Sequence, residues 1–132
     1  MTDDVALVAR AAAEIEAVHD FFDAWFRGEL DDAAFDRFAD ALDDDFHIVG
    51  PNGRRMDRSR TLDLVRAGKA SGHRAITVRN IALLWHHGDV IAMGYEEWQG
   101  ERGRLSSAVF RDDRQAPGGL RWMLVHETWL ET

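Results

Sequence analysis

The sequence predicts an α+β fold in which three N-terminal helices pack on a curved antiparallel β-sheet. In the first half, apolar residues recur at the three- and four-residue spacing of helices. In the second half, runs rich in β-branched and aromatic residues are separated by glycine-containing turns, as in a sheet of antiparallel strands. Helices followed by strands are typical of an α+β domain. A twisted sheet wrapped around a long helix forms a cone, whose open end is a natural pocket.

Three stretches with helical spacing of apolar residues are expected to form the helices. The first ends before Gly28, a residue that tolerates the left-handed backbone often found after a helix. The second follows Asp31, whose side chain can cap it, and is expected to end at the three aspartates of residues 43–45. A short strand at 46–49 and a turn at 50–53 precede the third helix. The predicted helices cover residues 2–27, 32–42 and 59–67.

Four longer strands are expected to form an antiparallel meander in the second half. The tight turn His87-Gly88-Asp89 joins the first two strands, and a glycine-containing turn at 100–103 joins the second to the third. A polar loop at 112–119 leads to the last strand. The predicted strands cover residues 73–86, 90–99, 104–111 and 120–130. The 132 residues are therefore expected to form one domain, spanning 1–132.

The last strand is mostly apolar on both of its faces. Strict alternation of side chains would place Trp122 and His126 on one face, and Val125, Glu127 and Trp129 on the other. A strand that is apolar on both faces is expected to be covered on both sides. We expect the helices to cover one face and a second subunit to cover the other, which predicts a homodimer formed through the sheet.

Composition and charge argue against several classes of partner. The formal net charge of −8 argues against nucleic acid, because phosphate backbones require a basic surface. No apolar run approaches the length of a membrane span, and the N-terminus lacks the basic start and apolar core of a signal peptide. A cytoplasmic protein without membrane contact is therefore expected. Because the chain has no cysteine, disulfides and thiolate metal sites are excluded.

Three segments carry a resemblance to a known superfamily. They are Phe-Phe-Asp-Ala-Trp-Phe-Arg-Gly-Glu at 21–29, Asp-Asp-Phe-His-Ile-Val-Gly-Pro-Asn-Gly at 44–53, and the strand at 104–110 followed by Trp-Met-Leu-Val-His-Glu-Thr-Trp at 122–129. In this order and spacing they resemble the nuclear transport factor 2-like (NTF2-like) superfamily, and within it the small bacterial SnoaL-like and DUF4440-type proteins. The resemblance covers essentially the whole chain and implies the cone-shaped α+β fold.

The resemblance leaves the function open, because the superfamily includes isomerases, cyclases, dehydratases and plain binding modules. In the ketosteroid isomerases, the catalytic aspartate directly precedes a proline in the turn after the first strand. The matching position here is Gly50, before Pro51, and glycine cannot abstract a proton. The resemblance therefore favours the binding of a small molecule over isomerase chemistry.

Three residues are candidates for acid–base catalysis. His126 could act as an acid or a base near neutral pH, although a hydrogen-bonded structural role accounts for it at least as well. Glu127 would have a raised pKa if buried, or could pair with Arg104 or Arg79 across the sheet. Tyr95 could donate a hydrogen bond to a ligand. Because His126 and Glu127 are adjacent, only one of them is expected to face the pocket.

Further residues are expected either to contact a ligand or to fill the core. Glu97 shares a strand face with Tyr95, and it either contacts a ligand or pairs with an arginine across the sheet. Ser106 is small and could leave room for a ligand. An apolar pocket is expected from the aromatic residues, although most of them belong to the core. The predicted ligand-contacting residues are Phe22, Trp25, Phe46, Met56, Glu97, Ser106 and Phe110.

No cofactor or metal ion is expected from the sequence. His19 and Asp23 lie four residues apart on the first helix, a spacing that can hold a metal, but no further ligand is grouped with them. Three functions remain open. The chain could bind a hydrophobic small molecule as a homodimer, it could be a cyclase-, isomerase- or dehydratase-type enzyme acting on a hydrophobic carbonyl substrate, or it could be a protein–protein adaptor whose cone is filled by side chains.

Overall fold

Three helices pack on an open, six-stranded sheet in the computed structural model, which describes residues 2–72 and 75–131. The predicted α+β cone is therefore confirmed. The helices are α1 (Thr2–Phe26), α2 (Ala33–Ala41) and α3 (Arg58–Ala67). The strands are β1 (Leu42–Val49), β2 (Arg55–Asp57), β3 (Ile76–His87), β4 (Val90–Gln99), β5 (Arg102–Asp112) and β6 (Leu120–Trp129). None of the described helices is long and apolar enough to cross a membrane.

The strand order in the sheet is β2-β1-β6-β5-β4-β3. Strands β3 to β6 form the predicted antiparallel meander. Strand β1 instead runs parallel to β6, so the sheet is mixed rather than wholly antiparallel. These two strands are far apart in the chain, and their relative direction is therefore not fixed by a hairpin turn.

Two parts of the first half differ from the sequence prediction. The aspartates at 43–45 lie in β1 instead of ending α2, because Leu42 and Phe46 on either side of them are buried and keep the segment against the core. The turn at 50–53 leads into the short strand β2, which pairs with β1 and which the sequence prediction lacked. The predicted start of the next strand, at residues 73 and 74, lies outside the described residues.

The core lies between α1 and the inner face of the sheet. The central side chains Ile15 and Trp25 of α1 are almost completely buried, as are Ile91 and Met93 of β4 and Phe110 of β5. Residues on the inner face of each strand alternate with more exposed residues on the outer face, as expected for a sheet covered by helices on one side.

A β-bulge interrupts β6 after its third residue. Trp122 pairs with Phe110 of β5, but Leu124 pairs with the preceding residue Val109, which leaves Met123 without a partner on β5. An extra residue in one strand shifts every later side chain to the opposite face. The strict alternation expected for this strand therefore fails at Met123.

The bulge brings Glu127 to the inner face and His126 to the outer face. Trp122 and Val125 are both buried on the helix side of the sheet, although strict alternation would separate them. Glu127, two residues after Val125, lies on the same inner face, with its side chain 9% exposed. His126 is exposed on the opposite face. Only the carboxylate of this adjacent pair therefore faces the interior of the cone.

A buried carboxylate on α1 connects three elements of the fold. Glu14 accepts two hydrogen bonds from the Arg37 guanidinium of α2, at 2.9 and 2.7 Å, and one from Nε1 of Trp122 on β6, at 2.9 Å. A Cβ atom at Gly118 would lie 2.2 Å from Oε1 of Glu14, so the loop before β6 requires glycine at this close approach. These contacts fix α1 and α2 against the last strand.

Candidate functional site

A small cavity lies between α1 and the inner face of the sheet. Its volume is about 60 Å³, which is room for a few non-hydrogen atoms. Most of the lining side chains are apolar, and the polar ones are grouped on α1, α3 and the last strands. The lining residues are Val18, His19, Phe22, Phe38, Leu42, Phe46, Ile48, Thr61, Tyr95, Glu97, Trp122, Val125 and Glu127.

Two further hollows adjoin this cavity. A mouth of about 210 Å³ lies beside α3 and is lined mainly by apolar side chains, together with Glu97, Arg104 and Glu127. An open groove of about 690 Å³ runs along the turn at 50–53. Ile48 and Glu127 line all three hollows. These two side chains therefore mark the junction through which a molecule in the groove or the mouth would reach the inner cavity.

The register of the sheet assembles the polar side chains of the site. Glu97 of β4 pairs with Arg104 of β5, and Tyr95 pairs with Ser106 two positions further along. Ser106 in turn pairs with Glu127 of β6. Because all of these residues lie on the inner face, the antiparallel strands bring their side chains together beneath α1.

His19 and Arg104 hold Glu97 in a buried ionic cluster. Nε2 of His19 lies 3.0 Å from Oε1 of Glu97, and both side chains are 5% exposed. Nε and Nη2 of Arg104 donate to Oε2 of Glu97 at 3.0 and 2.5 Å. Nδ1 of His19 lies 2.7 Å from the carbonyl oxygen of Ile15. Because both ring nitrogens face acceptor oxygens, we infer that His19 carries both protons and is cationic.

Glu97 is ionised in this arrangement. Burial alone would raise the pKa of this carboxyl group, but the hydrogen bond from His19 and the positive charge and hydrogen bonds of Arg104 outweigh it and lower the pKa to about 2. A carboxylate with three charge-assisted hydrogen bonds has little capacity left for a ligand. Glu97 therefore serves mainly to hold the two cations in place.

Glu127 is held much more loosely than Glu97. Its Oε1 lies 3.4 Å from Nη1 of Arg104, and its Oε2 lies 3.5 Å from the hydroxyl of Ser106, both longer than a usual hydrogen bond. Burial raises the pKa of Glu127, and the nearby charge of Glu97 raises it further, against the opposing effects of Arg104 and His19. Glu127 is therefore the carboxyl group of the site that retains acceptor capacity towards the hollows.

Tyr95 lies at the inner end of the site. Its side chain is almost fully buried, and its ring meets the His19 ring edge-on at 5.2 Å between centroids. Burial and the charges of Glu127 and Glu97 raise the pKa of the phenol. The hydroxyl of Tyr95 is therefore neutral, and it is hydrogen-bonded to the side chain of Ser106.

The predicted site residues divide into those that line the hollows and those that do not. Tyr95, Glu127 and four of the predicted ligand-contacting residues line at least one hollow: Phe22, Phe46, Met56 and Glu97. Ser106 lies behind this surface and contacts Glu127. Trp25 packs with Phe21 and Phe35 and donates to the Val65 carbonyl, while Phe110 packs on Trp122, so both are core residues away from these hollows. His126 lies on the outer face, outside the cavity.

The structure adds several residues to the site that the sequence did not assign to it. His19 had been considered only with Asp23, whose carboxylate instead accepts the backbone N–H of Ile76 at 3.1 Å. Arg104 had been considered only as a partner for a carboxylate, yet it lines the mouth and the groove. Ile48 has no polar group, so residue type alone gives no reason to assign it to a site. Among the described residues, no group of three or more histidines and acids is placed to hold a metal ion.

Comparison with solved structures identifies the fold. An NTF-2 like protein of unknown function from Pseudomonas aeruginosa superposes with a TM-score of 0.78 at 25% identity, covering 92% of this chain and 99% of that chain. An NTF2-like protein from Cytophaga hutchinsonii gives a TM-score of 0.64 at 14% identity, with coverage of 98% and 99%. The S. rosetta CaMKII hub gives a TM-score of 0.67 at 13% identity, with coverage of 90% and 95%.

The chain therefore has the NTF2-like fold, and the predicted resemblance is confirmed at that level. No protein-family model matches the sequence, and no curated protein matches it. Because these three structures are 25%, 14% and 13% identical to this chain, they establish the fold and leave the function to be argued from the site.

Replacing Glu97 is expected to be strongly destabilising. Glu97→Gln should lower the free energy of unfolding by about 3–5 kcal/mol, because His19 and Arg104 would remain buried without their shared counter-charge. Since the folded-state pKa of Glu97 is lowered, its contribution is present above the ordinary value of 4.5 and is lost as pH falls towards about 2. The difference from the unmodified protein should therefore stay constant from about pH 7 down to the ordinary pKa of 4.5 and shrink below it, as measured by urea unfolding.

Glu96→Gln is the matched control, because Glu96 is the neighbouring residue on the outer face and is bonded to Trp98 and Asn80. It should cost much less stability than Glu97→Gln. Equal stability of the Glu97→Gln variant and the unmodified protein at neutral pH would contradict a buried ionic cluster.

Proposed function

We propose that this chain is a small-molecule-binding protein whose ligand occupies the inner cavity and its mouth. The observation that carries the proposal is the position of Glu127, which lines all three hollows and makes only long contacts at 3.4 and 3.5 Å. A buried carboxyl group with free acceptor capacity is costly for the empty protein. A ligand that hydrogen-bonds to Glu127 would relieve that cost.

The shape and lining of the hollows support the proposal. The cavity of about 60 Å³ and the mouth of about 210 Å³ adjoin and are lined mainly by apolar side chains. Small-molecule sites are typically of about 300–1,000 Å³, apolar, with a few placed polar groups. The combined space is near the lower end of that range, so the ligand is small. Its apolar part would lie against Phe22 and Ile48, and its polar part against Glu127.

Blocking the junction should abolish binding. A ligand at about 100 times its dissociation constant stabilises the folded state by about 2.7 kcal/mol, which raises the melting temperature. In a thermal-shift screen of small aromatic alcohols, ketones and amides, we expect hits with the unmodified protein and none with Ile48→Phe, because the larger side chain fills the junction.

Val49→Phe is the control for that experiment, because Val49 is the next residue of β1 and pairs with the outward-facing His126. It should keep every hit. The absence of any stabilising compound in the screen, or hits that survive Ile48→Phe, would count against binding in this cavity.

Catalysis by acid–base chemistry is a second candidate function, and the observation that favours it is the same carboxyl group. The pKa of Glu127 is raised by burial and by the charge of Glu97, which moves the group towards the range of a useful general base. Its position beside an apolar cavity would suit proton abstraction from a carbon next to a carbonyl group. Gly50, at the position of the isomerase aspartate, would take no part in it.

Catalysis predicts that a bound ketone exchanges its acidic C–H protons with solvent. We expect deuterium incorporation from D₂O, followed by NMR, to fall by at least about 100-fold in Glu127→Gln, because the amide cannot accept the proton. Glu101→Gln, in the exposed turn after β4, should leave the exchange rate unchanged. A ketone that binds without any exchange above the solvent rate would leave binding as the function.

We also propose that two copies associate through the outer face of the sheet. Leu84, Trp85 and Leu105 lie on this face and are 56%, 55% and 44% exposed. The outward residues of β5 and β6 next to Leu105 are neither acidic nor arginine; they are Ser107, Val109, Leu124, His126 and Thr128. Glu96 of β4 also lies on this face, where it pairs with Leu105 and is bonded to Trp98 and Asn80. Because exposed apolar side chains favour association, a second copy would bind over the apolar and small residues of this face.

Charges placed on this face should prevent association. The double variant Leu84→Glu with Leu105→Glu is expected to have the mass of a monomer in light scattering at micromolar concentration, whereas the unmodified protein should have that of a dimer. Val5→Glu is the control, since Val5 is 69% exposed but lies on α1. A monomeric mass for the unmodified protein would rule out this dimer.

A further inference from the structure

The ionic cluster restricts the charge of the ligand. This inference rests on the proposed function, namely that the cavity and its mouth bind a small molecule. The charged side chains that line these two hollows are His19, Glu97, Arg104 and Glu127. They are linked in a chain of contacts of 3.0 Å, 2.5 Å and 3.4 Å, from His19 to Glu97, Arg104 and Glu127. The other lining residues among those that the structure describes are uncharged.

The four groups balance when Glu127 is ionised. His19 donates from both ring nitrogens and contributes one positive charge, and Arg104 contributes the other. Glu97 and Glu127 contribute two negative charges. The polar end of the site then carries no net charge that would attract an ionic ligand, although it contains many hydrogen-bonding groups.

We infer that the part of the ligand that enters the cavity is uncharged and carries a hydroxyl or carboxamide group on a small apolar body. A cationic or anionic group placed beside Glu127 would leave one net charge in a site whose ionic side chains are 5–25% exposed. An unbalanced buried charge is far more costly than a buried, hydrogen-bonded neutral group. Ionised Glu127 accepts a hydrogen bond from a hydroxyl or an amide N–H.

The restriction applies to the inner hollows and not to the groove. Arg54 lines the open groove and is exposed, so a charged group at that end of a longer ligand would remain in contact with water. The part of the ligand that lies in the inner hollows is therefore neutral, whatever charge its outer end carries.

Four probes with the same aromatic ring test the inference. Benzyl alcohol, benzamide, benzylamine and benzoate differ mainly in the charge of the polar group. With the unmodified protein at about pH 8, NMR titration should give dissociation constants for the two neutral probes at least tenfold below those for the two ions. Ile48→Phe should abolish binding of the neutral probes, which locates it in the cavity.

Two variants that change the net charge of the cluster should shift the relative affinities for benzoate and benzylamine in opposite directions. Glu127→Gln removes a negative charge, so benzoate should gain at least tenfold relative to benzylamine. Arg104→Gln removes a positive charge, so benzylamine should gain by a similar factor. Glu101→Gln, which changes the net charge of the chain equally but lies in an exposed turn, should leave the ranking unchanged.

The outcomes separate the inference from the proposed function. If benzoate or benzylamine binds the unmodified protein as tightly as the neutral probes, and Ile48→Phe abolishes that binding, the cavity binds ligands but the inference of a neutral group is wrong. If none of the four probes binds, both the proposed function and the inference fail. The ranking of the four probes with the unmodified protein decides the inference even if Arg104→Gln does not fold. Glu127→Gln keeps the size and shape of the side chain and then serves as the variant that changes the charge of the cluster.

Discussion

The contact of Glu97 with His19 and Arg104 is the interaction on which the rest of the site depends. Two carboxylates and two cations lie under α1, where each of them alone would be strongly unfavourable. His19 comes from α1, Glu97 from β4 and Arg104 from β5, so the charges are compensated only when the helix lies correctly on the sheet. We propose that this buried cluster contributes less to net stability than to fixing one arrangement of the elements.

The carboxyl groups of the site differ in chemistry because they differ in partners. Glu97 receives short, charge-assisted hydrogen bonds from two cations, and its pKa is lowered to about 2 despite burial. Glu127 also contacts Arg104, but at the longer distance of 3.4 Å, and its pKa is raised. One carboxylate is therefore structural, and the other faces the hollows. Binding, catalysis and the restriction on ligand charge all follow from this difference.

The sheet separates two kinds of surface. Its inner face carries the core, the ionic cluster and the hollows, whereas its outer face carries exposed apolar side chains on β3 and β5. The β-bulge at Met123 determines how β6 contributes to each, since it assigns Glu127 to the inner face and His126 to the outer face. Part of the candidate site was predictable from residue type and strand phase, including Tyr95 and Glu97. The faces of Glu127 and His126 were not, because a bulge depends on how two strands pair and leaves no pattern in the strand itself.

The sequence by itself determined the order of the helices and longer strands and the antiparallel meander, because these follow from the period of apolar residues and from local turn chemistry. The NTF2-like fold was indicated by the resemblance of its motifs and their spacing. The sequence also identified most of the polar residues that line the cavity. The tertiary structure decided the parallel pairing of β1 with β6, the extra strand β2 and the participation of His19, Arg104 and Ile48 in one site. The physical reason is that these features depend on contacts between residues far apart in the chain, and the free energy of such contacts is set by burial and charge compensation, which local sequence does not encode.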